Sequence, residues 1–286
     1  MIDLAVWVEE EEEPARRSFR QAIQLVLRAI AQAPNLSSIM IMKGGILLAI
    51  RYGSSRFTRD IDFSTSKRVQ DVDIERLIAE IKDAIAPVSA DNEYGLALRL
   101  QSYEVKPPVR PEVSFPTLKM RIGYANRLEK RQLVRLEVQG SPNTVQVDYS
   151  FNEWASDVET QNVDGGRLSM YPYHDLIAEK FRSILQQPIR RRERYQDVYD
   201  LWLLLQDSAE ISMDDRGQIL RKLQASGTDR GVPIHRLAMR DDAVIAMSRS
   251  QYEAQLPGLV DGGVPAFYPT YDFVRDFYES LPWALE

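Results

Sequence analysis

Asp60-Ile61-Asp62-Phe63 puts two carboxylates two residues apart in a segment that alternates polar and apolar. In an extended strand such residues share one face, about 7 Å apart, while Ile61 and Phe63 turn the other way into a core. Carboxylates placed so can clamp a hard cation such as Mg²⁺. Upstream, Gly44-Gly45 follows Lys43 and opens an apolar helical run from Ile46 to Tyr52. Backbone N–H groups at a helix N-terminus can hold a phosphate. The two pieces together read as a site for a metal-bound nucleoside triphosphate. Each alone has a plainer reading: Gly-Gly before a helix is usually a turn, and Asp-x-Asp on a strand is often a solvated face.

A second cluster follows Tyr173. Leu176, Ile177, Phe181 and Ile184 form an apolar helical stripe, and Lys180 falls on that same stripe. An inward lysine needs a carboxylate or phosphate partner, unless its stem packs and its ammonium snorkels to water. Next, Arg190, Arg191, Arg192 and Arg194 form the densest positive patch in the chain. Guanidinium forks suit phosphates, so this run is the expected nucleic-acid contact; a solvated loop is the alternative. Asp197 and Asp200 lie three apart on a helix that is apolar nearly all round, where aspartates are costly unless paired. Lys180 and the nearby arginines are the available cations, and a purely structural ion pair competes with a functional one.

The elements that must position these residues are legible as periodicities. Helices are predicted over 15–33, ended by Pro34-Asn35; over 46–52; and over 71–86, stopped by Pro87. Strands are predicted over 38–42, 60–64, 96–105, 117–124, 132–139 and 144–150, with Pro107, Pro108, Pro111 and Pro116 marking a loop after the third. Beyond a boundary near 156–170 the strand signals mostly stop, and helices are predicted over 173–187, 194–207, 214–225, 236–255 and 270–281. The expected organisation is an α/β (α+β) chain. An N-terminal domain with a mixed sheet spans 1–165, and a helical C-terminal domain spans 166–286.

Composition narrows the chemistry. The chain of 286 residues carries no cysteine and two histidines, which excludes thiolate sites and disfavours a histidine-rich one. Oxygen ligation of Mg²⁺ or Mn²⁺ fits this inventory. The net charge of −6 means that nucleic acid, if bound, meets a local patch rather than a generally basic surface. No apolar run approaches the length of a membrane span and no signal-peptide pattern opens the chain, so a cytoplasmic location without membrane contact is expected.

Lys43-Gly44-Gly45-Ile46-Leu47-Leu48, followed by Arg56-Phe57-Thr58-Arg59-Asp60-Ile61-Asp62-Phe63, resembles the first motif of the AbiEii/AbiGii-type nucleotidyltransferase toxins. These belong to the DNA polymerase β-like nucleotidyltransferase superfamily. Ala178-Glu179-Lys180-Phe181 and Tyr195-Gln196-Asp197-Val198-Tyr199-Asp200-Leu201 resemble the second, with Gln196 where the family has arginine and Arg194 two residues earlier. The resemblance implies a polymerase-β-like N-terminal domain that transfers a nucleoside monophosphate from a nucleoside triphosphate to an acceptor. It implies Mg²⁺ or Mn²⁺ on Asp60 and Asp62, with a third acid on a neighbouring strand, for which Asp148 is the candidate; a surface aspartate near a strand end is its alternative. It implies triphosphate contacts at Lys43, Gly44, Gly45, Arg56, Thr58, Lys180 and Asp200, and functional roles for Lys180 and Asp197 beside the nucleotide. An RNA acceptor, in particular the 3′ end of tRNA, a cognate antitoxin, and abortive-infection phage defence are likewise implied. The alternatives are a protein or small-molecule acceptor, or an inactive transferase fold that serves as a binding module.

Overall fold

The computed structural model describes residues 2–109, 114–155, 157–206 and 211–284. The chain divides into two compact units, Met1–Arg51 with Thr58–Tyr171, and Tyr52–Phe57 with Pro172–Glu286. The break at Tyr171 follows the last strand of a sheet.

The first unit runs α1 (Leu4–Glu9), α2 (Pro14–Gln32), α3 (Pro34–Ile39), β1 (Ile41–Lys43), α4 (Gly44–Tyr52), β2 (Asp60–Ser64), α5 (Ile74–Ala90), β3 (Leu96–Lys106), β4 (Thr117–Asn126), α6 (Lys130–Glu137), β5 (Thr144–Ser150), β6 (Glu159–Val163) and β7 (Gly166–Met170). The strands form one mixed sheet in the order β3-β4-β5-β2-β1-β7-β6. β2 is antiparallel to β1 and parallel to β5. One face is apolar. Ile61, Phe63, Val145, Val147, Met120 and Ile122 are buried, and Val26 and Ile30 of α2 and Ile81 and Ile85 of α5 close over Met120, Ile122 and Val147. Each such side chain contributes about 1.5–3 kcal/mol by leaving water. The other face carries the polar alternates of β2, β5 and β4.

Three expectations for the first unit are corrected, and one feature is new. Pro34 does not end the helical region. It opens α3, where a first-turn residue needs no N–H, and the strand begins only at Ile41. Pro87 lies inside α5, whose buried stripe continues through Ile85 to Val88; the Asp83 carbonyl that loses its donor sits on the exposed side, open to water. The strand expected at 132–139 is helix α6. Its apolar residues satisfy both periods, and only Leu136 is buried, while Val134 and Val138 are 59% and 72% exposed. The hairpin of β6 and β7 was not foreseen; its strands are short, and β7 pairs parallel with β1. The predicted loop residue Pro111 lies outside the described residues.

The second unit contains α7 (Tyr173–Leu185), α8 (Gln187–Arg190), α9 (Tyr195–Leu204), α10 (Met213–Arg230), α11 (Asp242–Arg249), α12 (Tyr252–Gln255) and α13 (Phe267–Glu279). The helices expected over 173–187 and 236–255 are each divided, and Asp207, the last residue of the expected 194–207 helix, lies outside the described residues. Ser212 opens α10 with a reciprocal capping box to Asp215. Phe181 of α7 stacks on Phe277 of α13, ring centroids 6.3 Å apart, beside Tyr278 at 5.2 Å.

The two readings of 132–139 differ measurably. In a strand, residues 134, 136 and 138 would share a buried or an exposed face. The helix predicts that Leu136→Ala costs about 2–4 kcal/mol in a urea titration, whereas Val134→Ser and Val138→Ser change stability by less than about 0.5 kcal/mol. Equal costs at all three positions would contradict α6.

Candidate active site

In the first unit the sheet register builds a polar row. Lys43 of β1 lies opposite Asp62 of β2, Asp62 beside Asp148 of β5, and Asp148 opposite Lys119 of β4. Register partners point to the same face, so Asp62 and Asp148 stand side by side. One step along, Asp60 is beside Gln146. Lys119 donates to Asp148 Oδ2 at 2.6 Å. The Lys43 ammonium pairs with Glu153 and lies 5.6 Å from the centre of the Tyr171 ring, within cation–π range. Ser64 Oγ donates to the Tyr171 hydroxyl at 2.9 Å, bracing that ring.

Gly44 is where β1 becomes α4. Its φ is +74°, and a β-carbon there would collide with Oδ2 of Asp62 and lie 2.8 Å from its Cγ. Only glycine lets the helix start approach the carboxylate so closely. Gly45 is buried in the first turn, and Thr58 is half-buried just before β2.

Among the described residues, no three histidines or carboxylates are grouped closely enough to enclose an ion. The donor chemistry nevertheless fits Mg²⁺, which is held through one or two carboxylates together with substrate phosphates and waters rather than in a protein cage. Asp60 and Asp62, hard oxygen donors on one face of β2, are such a set.

A second cluster lies wholly in the second unit. Asp200, fully buried on α9, accepts a bidentate fork from Arg56, with Nε to Oδ1 at 2.7 Å and Nη2 to Oδ2 at 2.8 Å. Lys180 of α7 donates to Asp200 Oδ2 at 2.6 Å and to Asp197 Oδ1 at 2.9 Å. Lys180 is 8% exposed, so it pairs inside and does not snorkel. Of the cations that the sequence offered, Lys180 is thus the partner of both carboxylates. Arg190, Arg191 and Arg192 are exposed where α8 gives way to α9, and Arg194 is the residue before α9. The guanidinium partner is Arg56, delivered from far upstream: Phe57 N donates to the Leu259 carbonyl at 2.6 Å, Ser55 Oγ donates to that of Asp261 at 3.0 Å, and Arg56 bridges Val260.

Charge state follows from this pairing. Burial disfavours the Asp200 carboxylate, yet Arg56 and Lys180 outweigh it and hold its pKa below the usual carboxylate range. Burial likewise opposes the Lys180 ammonium, but Asp197 and Asp200 prevail and raise its pKa.

Sequence reading missed Glu153 and Lys119, the partners of Lys43 and Asp148. Lys119 carries a faint signal, a cation between the inward residues Leu118 and Met120. Glu153 lies beyond β5 and carries none.

This architecture, a mixed sheet with Asp-x-Asp beside a glycine turn and a helical C-terminal region, is that of nucleotidyltransferases. Solved structures share it. MenT4, a nucleotidyltransferase toxin from Mycobacterium tuberculosis, is 15% identical with a TM-score of 0.54, over 97% of this chain and 89% of its own. JHP933 from Helicobacter pylori is 17% identical with a TM-score of 0.52, over 94% and 91%. None of the curated proteins compared with the chain matches it. The family model of the nucleotidyl transferase AbiEii toxin, type IV toxin–antitoxin system, matches residues 25–284, and the chain belongs to that family. It is thus a nucleotidyltransferase of a toxin–antitoxin family. No helix among the described residues is long and apolar enough to cross a membrane.

Gly44→Ala should abolish transfer while leaving a folded protein, because the methyl group must displace Asp62 in addition to about 1–2 kcal/mol of backbone strain; full activity in that variant would contradict the contact. Lys180→Ala and Arg56→Ala should each lower unfolding free energy by about 3–5 kcal/mol through an uncompensated buried carboxylate. The lowered Asp200 pKa contributes stability that is complete above the unfolded value near pH 4 and is lost as pH falls through the folded value. The raised Lys180 pKa contributes stability that is complete below its unfolded value near pH 10.4 and is lost as pH rises through the folded one. Denaturant titrations across pH should therefore show a plateau between, and Asp200→Asn should flatten the acid side.

Proposed function

We propose that this transferase moves a nucleoside monophosphate from a nucleoside triphosphate to a hydroxyl of RNA, at the 3′ end of tRNA. We further propose that it acts as the toxin of a phage-defence pair with a cognate antitoxin. The observation that carries the reading is the register of Asp62 with Asp148 next to the Gly44 turn. It brings Asp60, Asp62, Asp148 and the start of α4 together at one sheet face, which supports this reading. Asp60 and Asp62 would hold Mg²⁺ or Mn²⁺, which when bound neutralises the triphosphate and eases departure of pyrophosphate. The backbone around Gly44 and Gly45, with Lys43 and Thr58, grips the phosphate oxygens. Asp148, with Lys119 on Oδ2, takes the proton of the acceptor hydroxyl at its other oxygen. The acceptor oxygen bonds to the α-phosphorus as the bond to pyrophosphate breaks. In the second cluster the Lys180 ammonium commits two of its three donors to Asp197 and Asp200 and so holds both carboxylates of α9. The arginines 190–194, of which Arg190, Arg191 and Arg192 are exposed, offer nucleic acid a diffuse contact.

The test is to incubate the purified protein with total RNA, Mg²⁺ and each common ribonucleoside triphosphate labelled at the α-phosphate, then run a denaturing gel. A labelled tRNA-sized band is expected, reduced at least about 100-fold in Asp60→Asn and Asp62→Asn. Label on protein alone would replace the RNA acceptor with a protein one, and label undiminished in both variants would remove the carboxylates from the chemistry.

A further inference from the structure

The polar row does not stop at the carboxylates. Beyond Asp148, the same sheet face continues onto β4 through Lys119 and Arg121, which lie opposite Asp148 and Gln146. Alternation places residues 119, 121 and 123 on one face. Gly123 marks where α6 is seated on it: a β-carbon there would lie 2.9 Å from Leu136 Cδ1. Arg131 and Arg135, one turn apart on α6, therefore flank a helix that rests on the same face.

The charge along this path is lopsided. Between Thr117 and Arg135 the chain carries Lys119, Arg121, Arg127, Lys130, Arg131 and Arg135 against the single acid Glu129, in a protein of net charge −6. Arg121, Arg131 and Arg135 are exposed and make no ion pair among the described residues. Exposed arginines that serve stability normally meet a carboxylate across the strand or one helical turn away. Here the neighbours are Gln146 and Ser102 across the strands for Arg121. Adjacent strands are about 4.8 Å apart, so Arg121 stands two strands, about 10 Å, from Asp60.

We propose that the open face of β4, continued by α6, is the track for the phosphodiester backbone of the acceptor RNA. Arg121, Arg131 and Arg135 grip successive phosphates, so that the strand's terminal hydroxyl arrives over Asp62 and Asp148. Lys119 serves as the hinge of this arrangement, with its ammonium already on Asp148. The proposal rests on the reading that the acceptor is RNA, and it assigns the principal contact to this strip rather than to the arginines of 190–194.

The test measures anisotropy of a fluorescently labelled single-stranded RNA and of labelled tRNA, without nucleotide, over a series of KCl concentrations. The proteins are the full-length wild type, Arg121→Glu, Arg131→Glu/Arg135→Glu, and Arg190→Glu/Arg191→Glu/Arg192→Glu. Each lost phosphate contact should weaken binding by about tenfold at low salt and reduce the salt slope by about 0.7. The expected result is that loss in the first two variants, a smaller loss in the third, and a raised KM for RNA with unchanged KM for the nucleoside triphosphate. Because the substituted residues are exposed, circular dichroism and melting should match wild type. Wild-type affinity and salt slope in the first two variants, with binding lost in the third, would overturn the proposal while leaving RNA transfer intact. Loss of binding in the first two alongside labelling of protein only would uphold the track and overturn the acceptor reading. No RNA binding by the wild type at low salt would overturn both.

Discussion

Everything at the candidate catalytic face depends on the register of β2. Ile61 and Phe63 are fully buried, and that burial leaves the strand one way to face. A slip of one residue would send both apolar side chains into water and both aspartates into the core, at a cost of several kcal/mol for the apolar groups alone and more for the charges. The hydrophobic core thus aims Asp60 and Asp62. Pairing on both sides then sets their neighbours: β1 brings Lys43 and the Gly44 turn against Asp62, and β5 brings Asp148 beside it.

The second unit solves a different problem. A carboxylate with no access to water, Asp200, is neutralised from two sides by a guanidinium fork and an ammonium. Such a knot adds little net stability compared with an apolar core, but it is intolerant of losing one member. That intolerance matters when activity is read from variants of Lys180, because loss of fold and loss of chemistry would look alike. Arg56 reaches the knot through bonds from the Phe57 backbone N–H and the Ser55 hydroxyl to the loop at 259–261, so the segment that leads toward Asp60 is tied down by hydrogen bonds rather than by secondary structure.

Most of what could be read along the chain was local. The alternation of Asp60 to Phe63, the helical stripe around Lys180 and the glycines at 44 and 45 were visible because each expresses one short period or one backbone requirement. Readings failed where two periods fitted the same residues or where a partner was distant. Residues 132–139 satisfy both a strand and a helix, and the burial of Leu136 at Gly123 decides between them. β6 is polar but for Val163 and so declares no alternation; it is a strand because β7 pairs with it.

By itself the sequence determined which side chains share a face: Asp60 with Asp62, Lys180 with the apolar stripe of α7, Asp197 with Asp200. It also determined the available chemistry, oxygen ligands without thiols. Only the tertiary structure decided who meets whom. Asp148 lies beside Asp62 because two strands far apart in sequence run parallel in one register. Arg56, 144 residues before Asp200, supplies its guanidinium fork. Lys43 finds Glu153 across 110 residues. Periodicity reports the direction of a side chain relative to its own backbone; the identity of its partner is a property of how distant segments pack.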